Sequence, residues 1–250
     1  MVKDTEQLYN DNADKWARRE PNSLSDFTAR PRLFDLCGDV KGKLIIDLGA
    51  GEGYCARVMA SRGAKEIHGI ELSEEMVALA KKQQTADDGI SYQTGNVVDL
   101  PFENESFDMA LGVFVYNYLT VEETHESFSE VFRVLKPKGE FVFSVPHPSF
   151  PFIKQNLDAP FYFDTQGAGY YSSRNKQCQG EIYCRDGNKL AVQMIPKLLE
   201  DYFLALKFSG FKSLPTIQEY GVTKEMVEFD PEFFSPLKDI PLHMAFKVIK

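Results

Sequence analysis

The sequence predicts an α/β fold in which a parallel sheet carries helices on both faces. Short apolar runs alternate with segments of helical period as far as Val145, and a glycine cluster follows the first apolar run. Beyond Val145 the alternation gives way to an aromatic, irregular stretch that ends near Ile195, which reads as an insertion. The first strand is Lys43 to Leu48 (KLIIDL), and a helix over Tyr54 to Arg62 follows the glycines. A second strand runs from Glu66 to Ile70; Ser73 is a fitting N-cap, and Glu74 and Glu75 suit the first turn of a helix reaching Gln84. Further strands read at Ile90 to Gln93, Phe107 to Val113 and Glu140 to Val145, with a helix over Val121 to Leu135. In the insertion, Asp186-Gly187-Asn188 separates Glu181 to Arg185 from Lys189 to Ile195, a hairpin signal. A helix over Lys197 to Ser209 stops at Gly210, and strands at Lys212 to Tyr220 and Leu242 to Ile249 complete the sheet. Two helices, Asp11 to Arg19 and Arg32 to Cys37, precede the first strand.

Composition narrows the partners. The 250 residues hold 28 Lys plus Arg against 37 Asp plus Glu, and the net charge of −9 is a poor footprint for a phosphate backbone, so no nucleic-acid partner is expected. No apolar run approaches the roughly 18 residues of a bilayer span, and the N-terminus lacks a signal-peptide layout, so the expected location is cytoplasmic. Cys37, Cys55, Cys178 and Cys184 form no CxxC pair and read as reduced thiols. No acidic cluster with oxygen-ligand spacing follows the fourth strand, and no metal is expected.

Asp47-Leu48-Gly49-Ala50-Gly51-Glu52-Gly53 stands where a strand hands over to a helix, and glycine there allows close backbone approach to a ligand. Its G-x-G-x-G spacing departs from the dinucleotide fingerprint, and no Gly-Lys-Ser/Thr follows for a triphosphate. Glu71 ends the second strand, where a carboxylate accepts ribose hydroxyls or serves as a helix N-terminal acid.

DLGAGEG at 47–53, GIELSEEMVALAKK at 69–82, GNVVDLPFENESFD at 95–108 and VFRVLKPKGEFVFSVPHP at 131–148 resemble, in order and spacing, the motifs of class I S-adenosylmethionine-dependent methyltransferases. The version is similar to the small-molecule branch that includes the ubiquinone/menaquinone and type 11 enzymes. The resemblance implies a Rossmann-like, seven-stranded, mostly parallel sheet with a reversed final hairpin and an aromatic-rich cap inserted after the fifth strand. It also implies S-adenosylmethionine (SAM) as methyl donor and S-adenosylhomocysteine (SAH) as product. The domains expected are a helical lid over 1–40, a core over 41–146 and 196–250, and a substrate cap over 147–195.

Carried over by position, the resemblance puts Asp47, Gly49, Ala50 and Gly51 at the methionine end of SAM, with the Asp47 carboxylate near its ammonium, and counts Gly53 among the cofactor-binding residues. Glu71 takes the ribose, Leu72 and Met76 pack on adenine, and Asn96 with the Val97 backbone meets the adenine amino group. Asn96 replaces an aspartate more usual in the family. Leu111, Gly112 and Val113 pass beneath the sulfonium, while Tyr9 and Trp16 either cover the cation or dock the N-terminal helix.

The acceptor is expected to be a small molecule methylated on oxygen, nitrogen or carbon by in-line displacement, with the enzyme mainly positioning and desolvating it. His147, between Pro146 and Pro148 after the fifth strand, is the candidate base, or else only shapes a rigid loop. His68, His125 and His243 read as structural. Tyr116, Tyr118, Phe150, Tyr170, Tyr171 and Tyr183 are candidates for the acceptor wall, and Arg174 for an acidic acceptor; a dimer contact or satellite core would use the same aromatics. The chain is expected as a monomer or homodimer. Competing readings are a SAM-binding protein without transferase activity and a nucleic-acid or protein methyltransferase on the same fold.

Overall fold

The computed structural model describes residues 2–16, 21–85, 88–153 and 161–250. Four short helices open the chain: α1 (Val2–Asn10), α2 (Ala13–Trp16), α3 (Leu24–Thr28) and α4 (Arg30–Cys37). Three strand-helix units follow, β1 (Leu44–Leu48) with α5 (Tyr54–Ser61), β2 (Glu66–Glu71) with α6 (Glu74–Gln83), then β3 (Ile90–Thr94), β4 (Phe107–Val113) and α7 (Val121–Val134). Then come β5 (Leu135–Pro146), β6 (Phe161–Asp164), β7 (Cys178–Tyr183), β8 (Lys189–Met194) and α8 (Leu199–Ser209). The chain ends with β9 (Thr216–Tyr220), α9 (Lys224–Phe229), α10 (Pro231–Phe234) and β10 (His243–Ile249).

Seven strands form one sheet in the order β3-β2-β1-β4-β5-β10-β9. The β1, β2, β3, β4 and β5 pairings are parallel, and β10 runs antiparallel to both β5 and β9, so it alone is reversed. Every βα loop after a parallel strand therefore emerges at one edge, where ligands bind in open α/β sheets. Ser73 caps α6 by accepting from the Met76 N–H at 3.1 Å, as expected, and Gly210 ends α8 with a positive φ of 109°.

The insertion departs from the expected hairpin. A third strand, β6, joins β7 and β8 in a small antiparallel sheet. The helices near the N-terminus also differ: α1 covers residues before the expected start, α2 stops at Trp16, and residues 17–19 of the expected helix lie outside the described residues. Helices α3, α9 and α10 were not expected; each is five or six residues or shorter, too brief for an apolar period to register. Among the described residues no helix is long and apolar enough to cross a membrane.

Two cores flank the sheet. One packs α7 and α8 through Phe128, Phe141, Phe143, Tyr202 and Phe246; the other packs α4, α5 and α6 through Leu33, Met59 and Val77. Phe128 is fully buried, with Tyr116, Phe141 and Phe143 ring centroids 4.8, 5.0 and 5.0 Å away. Removing a ring at such a site loses its transfer energy and leaves a cavity. Phe128→Ala should therefore destabilise by about 3–5 kcal/mol, read as a lower urea midpoint.

Candidate active site

At the carboxyl edge of the sheet a cavity with about 1340 Å³ of empty space, open mouth included, is lined by the loops after β1, β2, β3 and β4. The loop after β1 is pinned from the neighbouring strand, since Gly49 N–H and Ala50 N–H donate to the Ile70 carbonyl at 2.8 and 3.0 Å. Gly49 has φ +67°, and a Cβ there would come within 2.8 Å of the Val115 side chain, so this loop and the one after β4 approach too closely for a larger residue without a shift. The Glu71 carboxylate completes the tie, with Oε2 accepting from Gly51 N–H at 2.9 Å and Oε1 from Ser73 N–H at 3.0 Å.

Asp47 is buried behind this loop. The Ala56 backbone N–H of α5 bonds its carboxylate, while Oδ2 has no hydrogen-bond partner. Burial, then the Glu71 charge, pushes its pKa up to about 7, and burial raises Glu71 as well. Two acids that resist ionising beside a glycine loop make a receptive place for a cation.

Helices α1 and α2 cover one side. Tyr9 on α1 donates from its hydroxyl to Tyr118 at 2.6 Å and packs on Trp16, with centroids 5.6 Å apart. The Ser73 hydroxyl donates to Asn10 at 2.5 Å, and Gln193 on β8 donates to Thr5 at 3.0 Å, so α1 bridges the core sheet and the small sheet. Opposite, Phe161, Phe163, Ile182 and Val192 present the small sheet to the same cavity.

Comparison with known proteins fits this geometry. A methyltransferase domain family matches residues 46–143. The demethylmenaquinone methyltransferase of Lactococcus lactis is 36% identical over 141 residues, covering 53% of this chain and 54% of that protein. The "Putative methyltransferase YqeM" of Bacillus subtilis is 33% identical over 214 residues, 79% of this chain and 85% of the relative. The crystal structure of a SAM-dependent methyltransferase from Mesorhizobium loti superposes with TM-score 0.65 at 24% identity, covering 88% of this chain and 96% of that one. The chain belongs to the class I SAM-dependent methyltransferases. It spans about half the length of the demethylmenaquinone methyltransferases it matches, 48% and 54% for two of them.

For a methyltransferase of this class the cavity fits the cofactor: an orphaned buried carboxylate oxygen suits an ammonium, and a carboxylate at the end of β2 suits a ribose. Of the residues the sequence assigned to the cofactor, the structure brings Tyr9, Trp16, Gly49, Ala50, Gly51, Glu71, Leu72, Met76, Asn96, Val97 and Val113 onto the cavity wall. Asn96 is there, but its side-chain oxygen already accepts from Val98 N–H at 3.2 Å. Asp47, Gly53, Leu111 and Gly112 stand behind the wall. Gly53 has φ +84° at the start of α5, and Gly112 leaves room for the Tyr116 ring.

Most acceptor candidates fall elsewhere. Tyr118 lines the cavity, whereas Tyr116 is fully buried in the α7 core. Phe150 stacks behind Phe161 at 4.4 Å and supports the wall without joining it. The Tyr170 hydroxyl accepts from Leu199 N–H, Tyr171 is 79% exposed, and Tyr183 lies under Lys189. Arg174 is held by Asp201 at 2.6 Å, so its charge serves the α8 N-terminus.

His147 is also displaced from the role expected of it. Its Nδ1 accepts from Ser149 N–H at 3.2 Å, which leaves Nε2 to donate to Glu219 at 3.0 Å, and neither nitrogen reaches the cavity. Pro146 lines the cavity and pairs with His243 across β10. Directly opposite residues share a face and successive ones alternate, so His243 joins Pro146 at the cavity and His147 turns away. His243, read as structural from sequence, is thus the histidine of the site. Ser25, Arg30, Phe114 and Asn117 line it too and carried no sequence motif.

The raised carboxyl of Asp47 sets a pH dependence. Its pKa is about 3.9 when unfolded and about 7 when folded, so its stabilisation is complete below about pH 4 and is lost as pH rises to about 7. His243, pushed down to about 3 when folded, acts in the opposite sense over the same window, so Asp47 is isolated by comparison with Asp47→Asn. Without cofactor, the urea midpoint of the parent relative to Asp47→Asn should fall as pH rises from about 4 to about 7; a constant difference would remove Asp47 as a source of pH dependence.

Proposed function

We propose that the protein transfers the methyl group of SAM to a small-molecule acceptor by in-line displacement. The observation that carries this reading is continuity: the glycine loop, Glu71 and the apolar side chains Phe161 and Phe163 line the same cavity. When bound, SAM supplies a methyl group already activated on a positively charged sulfur. Gly49, Ala50 and Gly51 would take its methionine end, with Asp47 behind them compensating the ammonium. Leu72, Met76 and Val97 would sandwich the adenine, and Tyr9, Trp16 and Tyr118 offer aromatic faces to a cation. The segment 147–195 acts as substrate cap and α1 as lid, excluding water from the acceptor. The acidic balance and the enclosed, largely apolar wall favour a small metabolite over nucleic acid.

Glu71 has a double duty. A carboxylate offers about four lone-pair sites, and Gly51, Leu72 and Ser73 N–H groups use three of them. One ribose hydroxyl can add freely, and a second must displace a backbone donor. Hydrogen bonds to a charged group are worth about 1.5–3 kcal/mol, so Glu71→Ala should weaken SAH binding by roughly 10- to 100-fold. Calorimetric titration with SAM, SAH and NAD tests both statements. Binding of NAD but neither adenosyl ligand would overturn the proposal, and unchanged SAH affinity in Glu71→Ala would overturn the ribose role.

A further inference from the structure

Part of the cavity wall is left unused by the cofactor residues: Ser25, Arg30, Phe114, Asn117, Phe161 and His243. Two of these side chains carry unmet hydrogen-bonding groups of opposite kind. The Thr28 hydroxyl spends its proton on the Leu24 carbonyl at 2.9 Å, so at its 3.0 Å contact with His243 Nε2 it must accept. Nε2 therefore holds the ring proton, and Nδ1 presents a bare lone pair that is buried without a partner. Burial, with Arg30 and His147 adding to it, pushes the His243 pKa down to about 3, which keeps that lone pair free.

Arg30 is the complement. Its Nη1 donates to Asp26 Oδ1 at 2.8 Å and to the Ser25 hydroxyl, which fixes the guanidinium, while Nε is buried with no partner. Both groups pack on the Phe114 ring, with Arg30 Cζ 5.5 Å and the His243 ring 5.0 Å from its centroid. An unmet donor and an unmet acceptor on one aromatic ring describe a ligand group that is both acceptor and donor. A carboxylate would satisfy Arg30 and face the Nδ1 lone pair; an ammonium would satisfy His243 and face a fixed cation. A hydroxyl satisfies both, its oxygen accepting from Arg30 and its proton donated to His243.

We propose that Arg30 and His243 form a hydroxyl-reading acceptor subsite, and that the acceptor is a planar, apolar compound of the phenol or enol class, methylated on oxygen. The apolar body lies among Phe114, Phe161 and Phe163. This rests on the methyl-transfer reading above. The acceptor oxygen uses a lone pair to form the C–O bond, and the C–S bond breaks with its pair retained on sulfur, giving SAH. The hydroxyl proton, directed at His243 Nδ1 by a hydrogen bond, is released to solvent through the cavity mouth as the oxygen is methylated, so His243 orients the hydroxyl and does not keep its proton.

The test compares 4-nitrophenol with nitrobenzene, which differ only in the hydroxyl, by calorimetric titration with and without SAH. Parent protein should prefer the phenol by at least about tenfold, as expected where a buried pair of groups is built for a hydroxyl. His243→Phe should lose that preference and keep SAH binding, and Arg30→Lys, which retains the charge but not the fork, should reduce it. No hydroxyl preference in the parent, or its survival in His243→Phe, would overturn the subsite. Absence of SAH binding would instead overturn the methyl-transfer reading, while the titrations without SAH still decide the subsite.

Discussion

The Glu71 carboxylate joins three pieces of chain that sequence keeps apart: the end of β2, the glycine loop at Gly51 and the first turn of α6 at Ser73. The loop cannot hold its shape alone, because glycines at positive φ have many conformations to lose. Its rigidity comes from the Ile70 carbonyl on one side and Glu71 on the other. This arrangement buries two carboxylates close together, and both have raised pKa values. The fold thus carries an electrostatic tension that a bound cation would relieve.

The proposed acceptor side is held by a different device. Arg30 and Asp26 form a buried pair in which Asp26 also accepts from the backbone N–H groups of Asn22 and Ser23 and from the Ser23 hydroxyl. Such a pair contributes little net stability, but losing one partner strands a buried charge at a cost of about 3–5 kcal/mol. Its effect is to fix the guanidinium before any ligand arrives, which suits recognition by geometry better than adaptation. Helix α1 is held on a smaller energy scale: Tyr9–Tyr118, Asn10–Ser73 and Thr5–Gln193 are three separate hydrogen bonds across a short helix.

The cofactor wall was legible because its signals are local. Asp47 to Gly53 follows a strand within the same dozen residues, and Glu71 ends the next strand, so motif and element predict each other. The proposed acceptor wall draws on residues near 25–30, 114–118, 161–163 and 243, which no window of sequence contains together. Counting aromatics between Phe150 and Tyr183 marks a stretch that the fold divides between the cavity and other surroundings. In β6 the alternating residues Phe161 and Phe163 face the cavity, while Tyr170, Tyr171 and Tyr183 pack on neighbours or meet solvent. Arg30 was invisible for a related reason: an arginine beside Pro31 at a helix start looks like surface, and only the fold buries it against Asp26.

The two histidines show how fine the deciding constraint is. His147 and His243 lie at the same end of the β5–β10 ladder, and a slip of β10 by one residue in that register would turn His243 off the cavity face. The register is fixed over seven paired positions, with Phe143 and Phe246 stacked 4.6 Å apart within it, so the choice is made by packing far from the cavity. Phe114 then shapes what His243 meets. It adopts φ +59°, a conformation unusual for a bulky side chain, with its N–H held by the Ser144 carbonyl at 3.0 Å. A backbone strained by about 1–3 kcal/mol persists only where surrounding structure enforces it. Here it turns an aromatic ring between a fixed cation and a neutral imidazole, in the loop that follows β4 beside the glycine turn.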